Sequence, residues 1–232
     1  DVDRFSYLRC LVVGAGALGN EVLKCMILAG FRDITVVDMD RIEISNLSRC
    51  VFFRESDTDC AKSHVLAERA NEMFPHADVK HIHSKIQEVE DWDYDLIMGC
   101  LDNISARLHT NSHAVCYGIP YVDGGTDGMR GKVQTVLPGG PCLNCAMNGS
   151  HAKIMNLRFS CTGTSEIFTP LIPAEITTTS IIAAMQVREA EKIASGKSDL
   201  CIRHITFYDG IRGAMDTVSL DVDEKCPNYG GY

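Results

Sequence analysis

No stretch of this 232-residue chain approaches the roughly 20 apolar residues that a membrane-spanning helix needs. The longest apolar runs, such as Cys25–Ala29 and Ile181–Met185, are far shorter. The opening DVDRFSYLRC carries charges and lacks the apolar core of a signal peptide. Neither membrane insertion nor secretion is expected; the cytoplasm is the expected compartment, with the nucleus also compatible. Basic charge is scarce as well: 22 Lys and Arg stand against 31 Asp and Glu, a net charge of −9. A duplex-binding surface needs a basic stripe, and here the basic residues are scattered singly, which disfavours nucleic acid as the principal ligand. Internal repeats and low-complexity linkers are missing too. What remains is an ordinary globular composition, 45% hydrophobic and 23% charged, with a length that suits one α/β domain or at most two small ones.

Cysteine, by contrast, is plentiful. Eleven residues are an odd number in a chain long enough to bury its own core, whereas disulfide frameworks belong to smaller secreted scaffolds. The thiols therefore read as reduced, each a core filler, a metal ligand or a nucleophile. The Asn-x-Ser sequons at Asn46, Asn103 and Asn148 then read as chance.

Along the chain, Cys10–Val13 is an apolar run that ends in glycines. Leu18, Val22, Met26 and Ala29 come next at helical spacing, with Gly30 as a stop, and the β-branched run Ile34–Val37 closes on Asp38. A strand, a short helical crossover and a strand imply parallel pairing. A second helix fits Ala61–Phe74, with Val65, Leu66, Ala70 and Met73 facing inward. Strands fit Val79–His83, Leu96–Cys100 and Tyr121–Asp123, the last two separated by a helix from about Asp102 or Asn103 to Tyr117. After residue 125 the pattern changes. Lys132–Leu137 and Thr217–Val222 alternate in period two, as half-buried antiparallel strands do. Between them lie an irregular stretch (Pro138–Pro173), a long helix (Ile176–Ser195) and the strand Arg203–Tyr208. The expected fold is α/β and Rossmann-like: a mostly parallel sheet extended by antiparallel strands, with helices on both faces. Residues 1–125 form a nucleotide-binding half, and residues 126–232 complete the same single domain.

Gly14-Ala-Gly16-Ala17-Leu-Gly19 stands between a strand and the helix it opens. In that context the glycines let the backbone turn tightly and approach a phosphate, and the helix offers unpaired N–H groups and the positive end of its dipole. Asp38 ends the second strand, where a carboxylate can accept from ribose hydroxyls. This much alone suggests a dehydrogenase. The next residues do not: Asp40, Ser45, Asn46 and Arg49 lie just beyond that strand, and Lys62 stands at the entry to the second helix. An amide, an arginine and a lysine gathered beside the loop suit a triphosphate, whose charge they offset. Asp102 and Asn103 fall after the Leu96–Cys100 strand at the carboxyl edge of the sheet, where ligands bind. A carboxylate facing phosphates there should hold Mg²⁺.

The runs VVGAGALGNEVLKCMILAGF, VVDMDRIEISNLSR, Lys62 and CLDNISAR together resemble the ThiF/MoeB adenylation domain shared by ubiquitin-like-protein activating enzymes. The resemblance covers nearly the whole chain, and VDGGTDGMRGKVQTVLPG is closer to the eukaryotic activating enzymes than to the bacterial sulfur-transfer ones. It implies that Asp38 binds the ATP ribose, that Asn46, Arg49 and Lys62 grip the phosphates, and that Asp102 coordinates Mg²⁺. The implied reaction adenylates the C-terminal glycine of a ubiquitin-like or sulfur-carrier protein and releases pyrophosphate. Many relatives carry glutamine after the arginine of S-N-L-x-R, where this chain has Cys50.

Cys142-Leu-Asn-Cys145 has the spacing of a metal knuckle, with chance and redox readings still open. The resemblance implies a zinc site completed by a second C-x-x-C, but here that segment reads Cys226-Pro-Asn-Tyr229. Three thiolates remain, so the site recruits another ligand, binds zinc weakly or is lost. Thioester-forming relatives carry a nucleophilic cysteine near the place of Cys161, in RFSCTG; the alternative is a structural thiol there. Cys10, Cys25, Cys100 and Cys116 lie in apolar segments and read as core. The resemblance also implies a homodimer or a heterodimer with a related subunit, and an arginine reaching across from a helix ahead of the first strand. Asp1–Arg9 are too few for that helix, so Arg4 reads as a surface residue. Competing functions are an NAD-dependent oxidoreductase, which would leave Asn46, Arg49, Lys62 and Asp102 unexplained, and a small-substrate or tRNA adenylator of the same superfamily.

Overall fold

The computed structural model describes residues 3–146, 175–202 and 204–229. Its centre is an eight-stranded sheet, counted among the described residues: β1 (Phe5–Val13), β2 (Phe31–Val37), β3 (Asp78–Ile82), β4 (Leu96–Gly99), β5 (Tyr121–Asp127), β6 (Arg130–Val136), β7 (Ile205–Asp209) and β8 (Ala214–Val218). The spatial order is β3-β2-β1-β4-β5-β6-β7-β8. Pairing is parallel from β3 to β5 and antiparallel from β5 to β8. The chain therefore leaves β1 outward through β2 and β3, then returns to the other side of β1 through β4. That reversal opens a crevice at the carboxyl ends of β1 and β4, where open α/β sheets take their ligands.

Two apolar layers sandwich the sheet. One face packs Val12, Ile34, Val36, Met98, Val122 and Val133 against α1 (Ala17–Ala29), α2 (Lys62–Met73) and the long helix Ile176–Ala194. The other packs Leu11, Val13, Ile97, Tyr121 and Val136 against α3 (Ile104–Tyr117), Trp92 and the single turn α4 (Leu143–Ala146); the long helix is accordingly α5. Helix ends obey local chemistry. Gly30 and Gly118 close α1 and α3 in the left-handed region, with φ of +107° and +66°. Asn103 opens α3 by accepting the Ala106 N–H at 3.1 Å.

The architecture is the one expected, and several boundaries differ. β1 begins at Phe5 rather than Cys10, because Ser6–Arg9 face largely outward and carry no apolar run. β5 continues past Asp123 to Asp127 and pairs with β6 as a hairpin, so one sheet runs unbroken across residue 125. Gly124 and Gly125 hide this continuation from propensity, yet their lack of a side chain is required. A Cβ would stand 2.2 Å from Gln186 Oε1 at Gly124 and 3.0 Å from Arg107 Nη1 at Gly125. β6 and β7 are also displaced from Lys132–Leu137 and Arg203–Tyr208, and Arg203 lies outside the described residues. The last strand is Ala214–Val218, not Thr217–Val222. Asp209 Oδ1 accepts the N–H groups of Ile211 and Arg212, which tightens the turn and sets Asp209 opposite Ala214. Met73 is 57% exposed; α2 ends there, and Phe74 packs against the core instead. Cys116 is exposed, because α3 buries Ala106, Thr110, Asn111 and Ala114, a stripe that residue 116 does not join.

Glu175 caps α5. Its carboxylate accepts from the Thr177 hydroxyl first, then from the Thr178 and Thr177 N–H groups, and is held down at about 2. A depressed folded-state value contributes stability that is complete above the unfolded carboxylate range and is lost as pH falls through about 2. Glu175→Gln should therefore lower the thermal midpoint near about pH 6, with the gap to the wild type closing as pH falls below about 4. Thermal unfolding of both chains across that range checks this; a gap that stays constant with pH is the contrary result.

Candidate active site

β1 delivers the chain into the glycine loop. Gly14 has φ of +106°, and an added Cβ would stand 2.5 Å from the Cys100 carbonyl oxygen. A Cβ at Gly19 would stand 1.9 Å from the Gly14 oxygen, so these two glycines let loop, helix and the end of β4 close on one another. Gly16 differs. It has ordinary φ, and a Cβ there would meet nothing within 4 Å. It caps α1 without a side-chain hydrogen bond, so among the described residues the first-turn N–H groups of Ala17, Leu18 and Gly19 have no capping partner at the positive end of the helix dipole.

Asp38, at the end of β2, accepts the Ala15 N–H at 2.7 Å through one oxygen and the Asp40 N–H at 2.7 Å through the other. Burial pushes its carboxyl above the ordinary range, against the pull of those N–H groups and of Lys62. Each carboxylate oxygen retains a lone pair for a further donor, so Asp38 shapes the loop and can still accept from a sugar hydroxyl.

Downstream, Glu43–Ser48 form a tight turn held by Asn46. Its Oδ1 accepts the Glu43 N–H at 3.0 Å, and its side chain is buried. The oxygen is thus committed, and the amide N–H groups are what Asn46 can offer a ligand. Arg49 donates from Nη1 to the Ser45 carbonyl at 2.8 Å. Lys62 opens α2, and its ammonium donates to Asp40 at 3.0 Å. Asp102 is exposed immediately beyond β4. Asn103 beside it serves as the α3 cap, an assignment of its side-chain oxygen that the spacing did not foretell. A cleft of about 640 Å³ lined by Arg4, Tyr7, Asp95 and Lys197 sits at the amino ends of β1 and β4, the edge remote from these groups.

Cys142, Cys145 and Cys226 form the one group of potential metal-ligating side chains found among the described residues, with sulfurs all within 4.8 Å of one another. Cys142 lies 3.9 Å from Cys145 and 3.5 Å from Cys226. Zn–S bonds of about 2.3 Å in a tetrahedron space their sulfurs by roughly 3.8 Å, so the three thiols fit such an ion. Burial opposes ionisation of Cys142, but donors from Asn111 and Asn228 outweigh it and draw the thiol below its usual range. Burial, with Cys142 beside it, pushes Cys226 up to about 12. Tyr229 packs beside the cluster, but its hydroxyl is engaged elsewhere, donating to the Gly140 carbonyl at 2.6 Å. Cys161 lies outside the described residues.

A model of the ThiF family matches residues 1–228. The chain belongs to the ThiF family. Over 155 residues it is 37% identical to the NEDD8-activating enzyme E1 catalytic subunit of Schizosaccharomyces pombe, covering 63% of this chain and 35% of that one. With the Arabidopsis thaliana protein of the same name the figures are 39% over 159 residues, 61% and 35%. SUMO-activating enzyme subunit 2 of Dictyostelium discoideum is 34% identical over 149 residues, 62% of this chain and 22% of that one. The chain thus spans about a third or less of the length of these curated relatives. A crystal structure of E. coli MccB with ATP superposes with a TM-score of 0.80 at 20% identity, over 98% of this chain and 68% of that one, a likeness of fold.

In this ThiF-family chain three residues without a motif of their own hold the site in shape. Buried Asn20 donates to the Ala15 and Gly16 carbonyls at 3.0 Å and accepts the Phe52 N–H at 3.2 Å, tying the glycine loop to the segment that carries Arg49. Arg107 on α3 pairs with Asp123 on β5 through Nε at 3.0 Å and through Nη2. Only its polarity one turn into a largely apolar helix could have singled out Asn20, and nothing local marks the Arg107–Asp123 pair.

The two kinds of glycine should respond differently. Gly16→Ala should keep the thermal midpoint within a few degrees, as open-surface changes of about 0.5 kcal/mol do, while weakening nucleotide binding about tenfold or more, some 1.4 kcal/mol. Gly19→Ala should destabilise the fold by about 3 kcal/mol or more through backbone overlap. Calorimetric unfolding with and without nucleotide separates them; equal behaviour of the two variants is the contrary result.

Proposed function

We propose that residues 1–232 form a single adenylation domain of an ATP-dependent activating enzyme, whose acceptor is the C-terminal glycine of a ubiquitin-like or sulfur-carrier protein. The observation that supports this most is convergence: the uncapped α1 terminus, Asp38, the Asn46–Arg49 turn, Lys62 and Asp102 all emerge at the carboxyl edge of β1, β2 and β4. The curated relatives named as NEDD8- and SUMO-activating proteins point to the same class of acceptor.

The acceptor carboxylate attacks the α-phosphorus of ATP. An acyl–phosphate bond forms, the bond between α- and β-phosphates breaks, and pyrophosphate leaves. Two anions must meet, so the protein has to place positive charge and N–H donors on the phosphates in advance. In this reading the α1 N–H groups take phosphate oxygens, Asp38 orients the ribose, Asn46 donates from its amide, and Arg49 and Lys62 offset charge on the leaving pyrophosphate. Asp102 would hold Mg²⁺, which neutralises triphosphate charge. Cys142, Cys145 and Cys226 would hold zinc with one position left to a ligand other than Tyr229; its contribution is to clamp the β6–α4 turn to the C-terminal segment. A related subunit, identical or not, would complete the enzyme. Thioester formation at Cys161 would come after adenylation.

ATP with Mg²⁺ should raise the thermal midpoint by mass action, and NAD should not; equal stabilisation by NAD would return the chain to oxidoreductase chemistry. Asp102→Ala should retain the fold and lose about 100-fold or more of pyrophosphate–ATP exchange, measured with carrier present. Near-wild-type exchange refutes the Mg²⁺ assignment.

For the thiol cluster, native mass spectrometry should find one zinc per chain. Tyr229→Cys should tighten its retention against a chelator by supplying a fourth thiolate, and Tyr229→Phe should leave the stoichiometry unchanged. A wild-type chain that binds no zinc overturns the assignment.

A further inference from the structure

We propose that Lys132 anchors the terminal carboxylate of the carrier that accepts the adenylyl group, making the strip of β5 and β6 beside Arg107 and Asp123 a carboxylate-binding subsite. This rests on the adenylation reading, which requires a carboxylate to arrive beside the phosphates.

Register places Lys132. It pairs with Gly125, and Gln134 pairs with Asp123, while Asp123 itself pairs with Gly99, the last residue of β4. β5 and β6 thus project beyond the end of β4, on the same carboxyl edge as Asp102 and the glycine loop. Side chains alternate along β6. Val133 points to the α1–α5 face and Val136 to the α3 face, so Lys132 and Gln134 share the α3 face. Arg107 covers Gly125 there, since a Cβ at that glycine would stand 3.0 Å from its Nη1.

This patch is rich in donors and has spent its acceptors. Asp123 is its acidic group, and both carboxylate oxygens are used: Oδ1 accepts from Arg107 Nε at 3.0 Å and from the Tyr121 hydroxyl at 2.7 Å, and Oδ2 accepts from Arg107 Nη2. Lys132 is half-buried and belongs to no ion pair or side-chain hydrogen bond among the described residues. Gln134, 3% exposed, has a buried Nε2 with no acceptor among the described residues. Burial and then the Arg107 charge draw the Lys132 ammonium below its ordinary range. Among the described residues, a half-buried ammonium that makes no ion pair, with Asp123 nearby but already engaged by Arg107 and Tyr121, stands beside an amide N–H with no acceptor. That pairing fits a ligand that brings both negative charge and carbonyl oxygens. The end of an extended peptide supplies both. A phosphate would supply the charge as well, but the cations for that role lie on the β2 side of the glycine loop.

The test uses the ¹⁵N-labelled full chain, titrated with a hexapeptide ending in Gly-Gly and, separately, with its C-terminal amide, while the amide resonances of Gly125, Gly131 and Lys132 are followed. The free acid should shift these resonances and bind about tenfold more tightly than the amide, the loss expected when a charge-assisted partner is removed. Lys132→Met should take both peptides equally weakly, and Lys132→Arg should restore part of the preference. Well-dispersed spectra of Lys132→Met establish that it folds. A wild-type chain with no preference for the acid, or a Lys132→Met chain that keeps it, overturns the proposal. If ATP with Mg²⁺ fails to stabilise the wild type while the acid preference persists, the adenylation reading fails and the carboxylate subsite stands.

Discussion

The architecture hangs on a backbone-to-backbone closure that tolerates no side chain. Gly14 sits against the Cys100 carbonyl, Gly19 sits against Gly14, and the Gly14 N–H donates to Val37 at 2.8 Å. Through these contacts the ends of β1, β2 and β4 and the start of α1 meet within one turn of chain. The residues just beyond each of these ends inherit their position: Asp38 and the Asn46–Arg49 turn after β2, Asp102 after β4. Because the closure is made of backbone, it brings charged side chains to one edge without itself contributing charge. Two side chains add to it: neutral Asn20, which ties the loop to Phe52, and Asp38, whose carboxylate accepts the Ala15 N–H.

A second constraint holds the far side of the crevice. Gln186 on α5 donates to the carbonyls of Gly99 at 2.9 Å and Val122 at 3.0 Å, fastening the helix to neighbouring strands β4 and β5 where they face the site. On the opposite face Arg107 fastens α3 to Asp123, with burial opposing the guanidinium charge and Asp123 outweighing it. A buried pair of this kind contributes little net stability, yet losing one partner leaves a charge stranded. Its effect is geometric: it fixes how far β5 and β6 stand from α3, and so the width of the strip that bears Lys132.

Much of this was legible in the chain. The strand–glycine–helix grammar, the switch from apolar runs to alternation after residue 125, and the order of Asp38, Asn46, Arg49 and Lys62 each reflect local chemistry that one stretch of sequence carries alone. What was not legible is what depends on distant approach. Gly124 and Gly125 read as a break in β5, because the side chains that need their space, Gln186 and Arg107, come from other elements. Asp123 read as a strand end for the same reason. The Cys142–Cys145 half of the thiol cluster was legible as a spacing, but the hydroxyl of Tyr229 turning to Gly140 is a tertiary fact that no C-x-x-C pattern contains. Asn103 was marked by its place after Asp102; that its side-chain oxygen caps α3 by accepting the Ala106 N–H is a further role, which leaves its amide N–H groups to a ligand.

Under the proposed adenylation reading an acidic chain has to take up a triphosphate, and its net charge of −9 would repel that ligand at long range. The structure answers locally. Lys62, whose side chain is 13% exposed, is held by Asp40, which is 54% exposed. An ammonium in that position is neither free to wander nor deeply desolvated, and its partner is an anion that water solvates well. A polyphosphate arriving at the α1 terminus can therefore take Lys62 in exchange for Asp40, because the carboxylate returns to solvent at small cost while the phosphate gains a preorganised cation. Were Asp40 buried like Asp123, the exchange would strand a charge and the lysine would be lost to the ligand. The contrast between these two ion pairs, one at the surface and exchangeable, the other buried and fixed, separates what the fold uses to stay in shape from what it keeps available for a substrate.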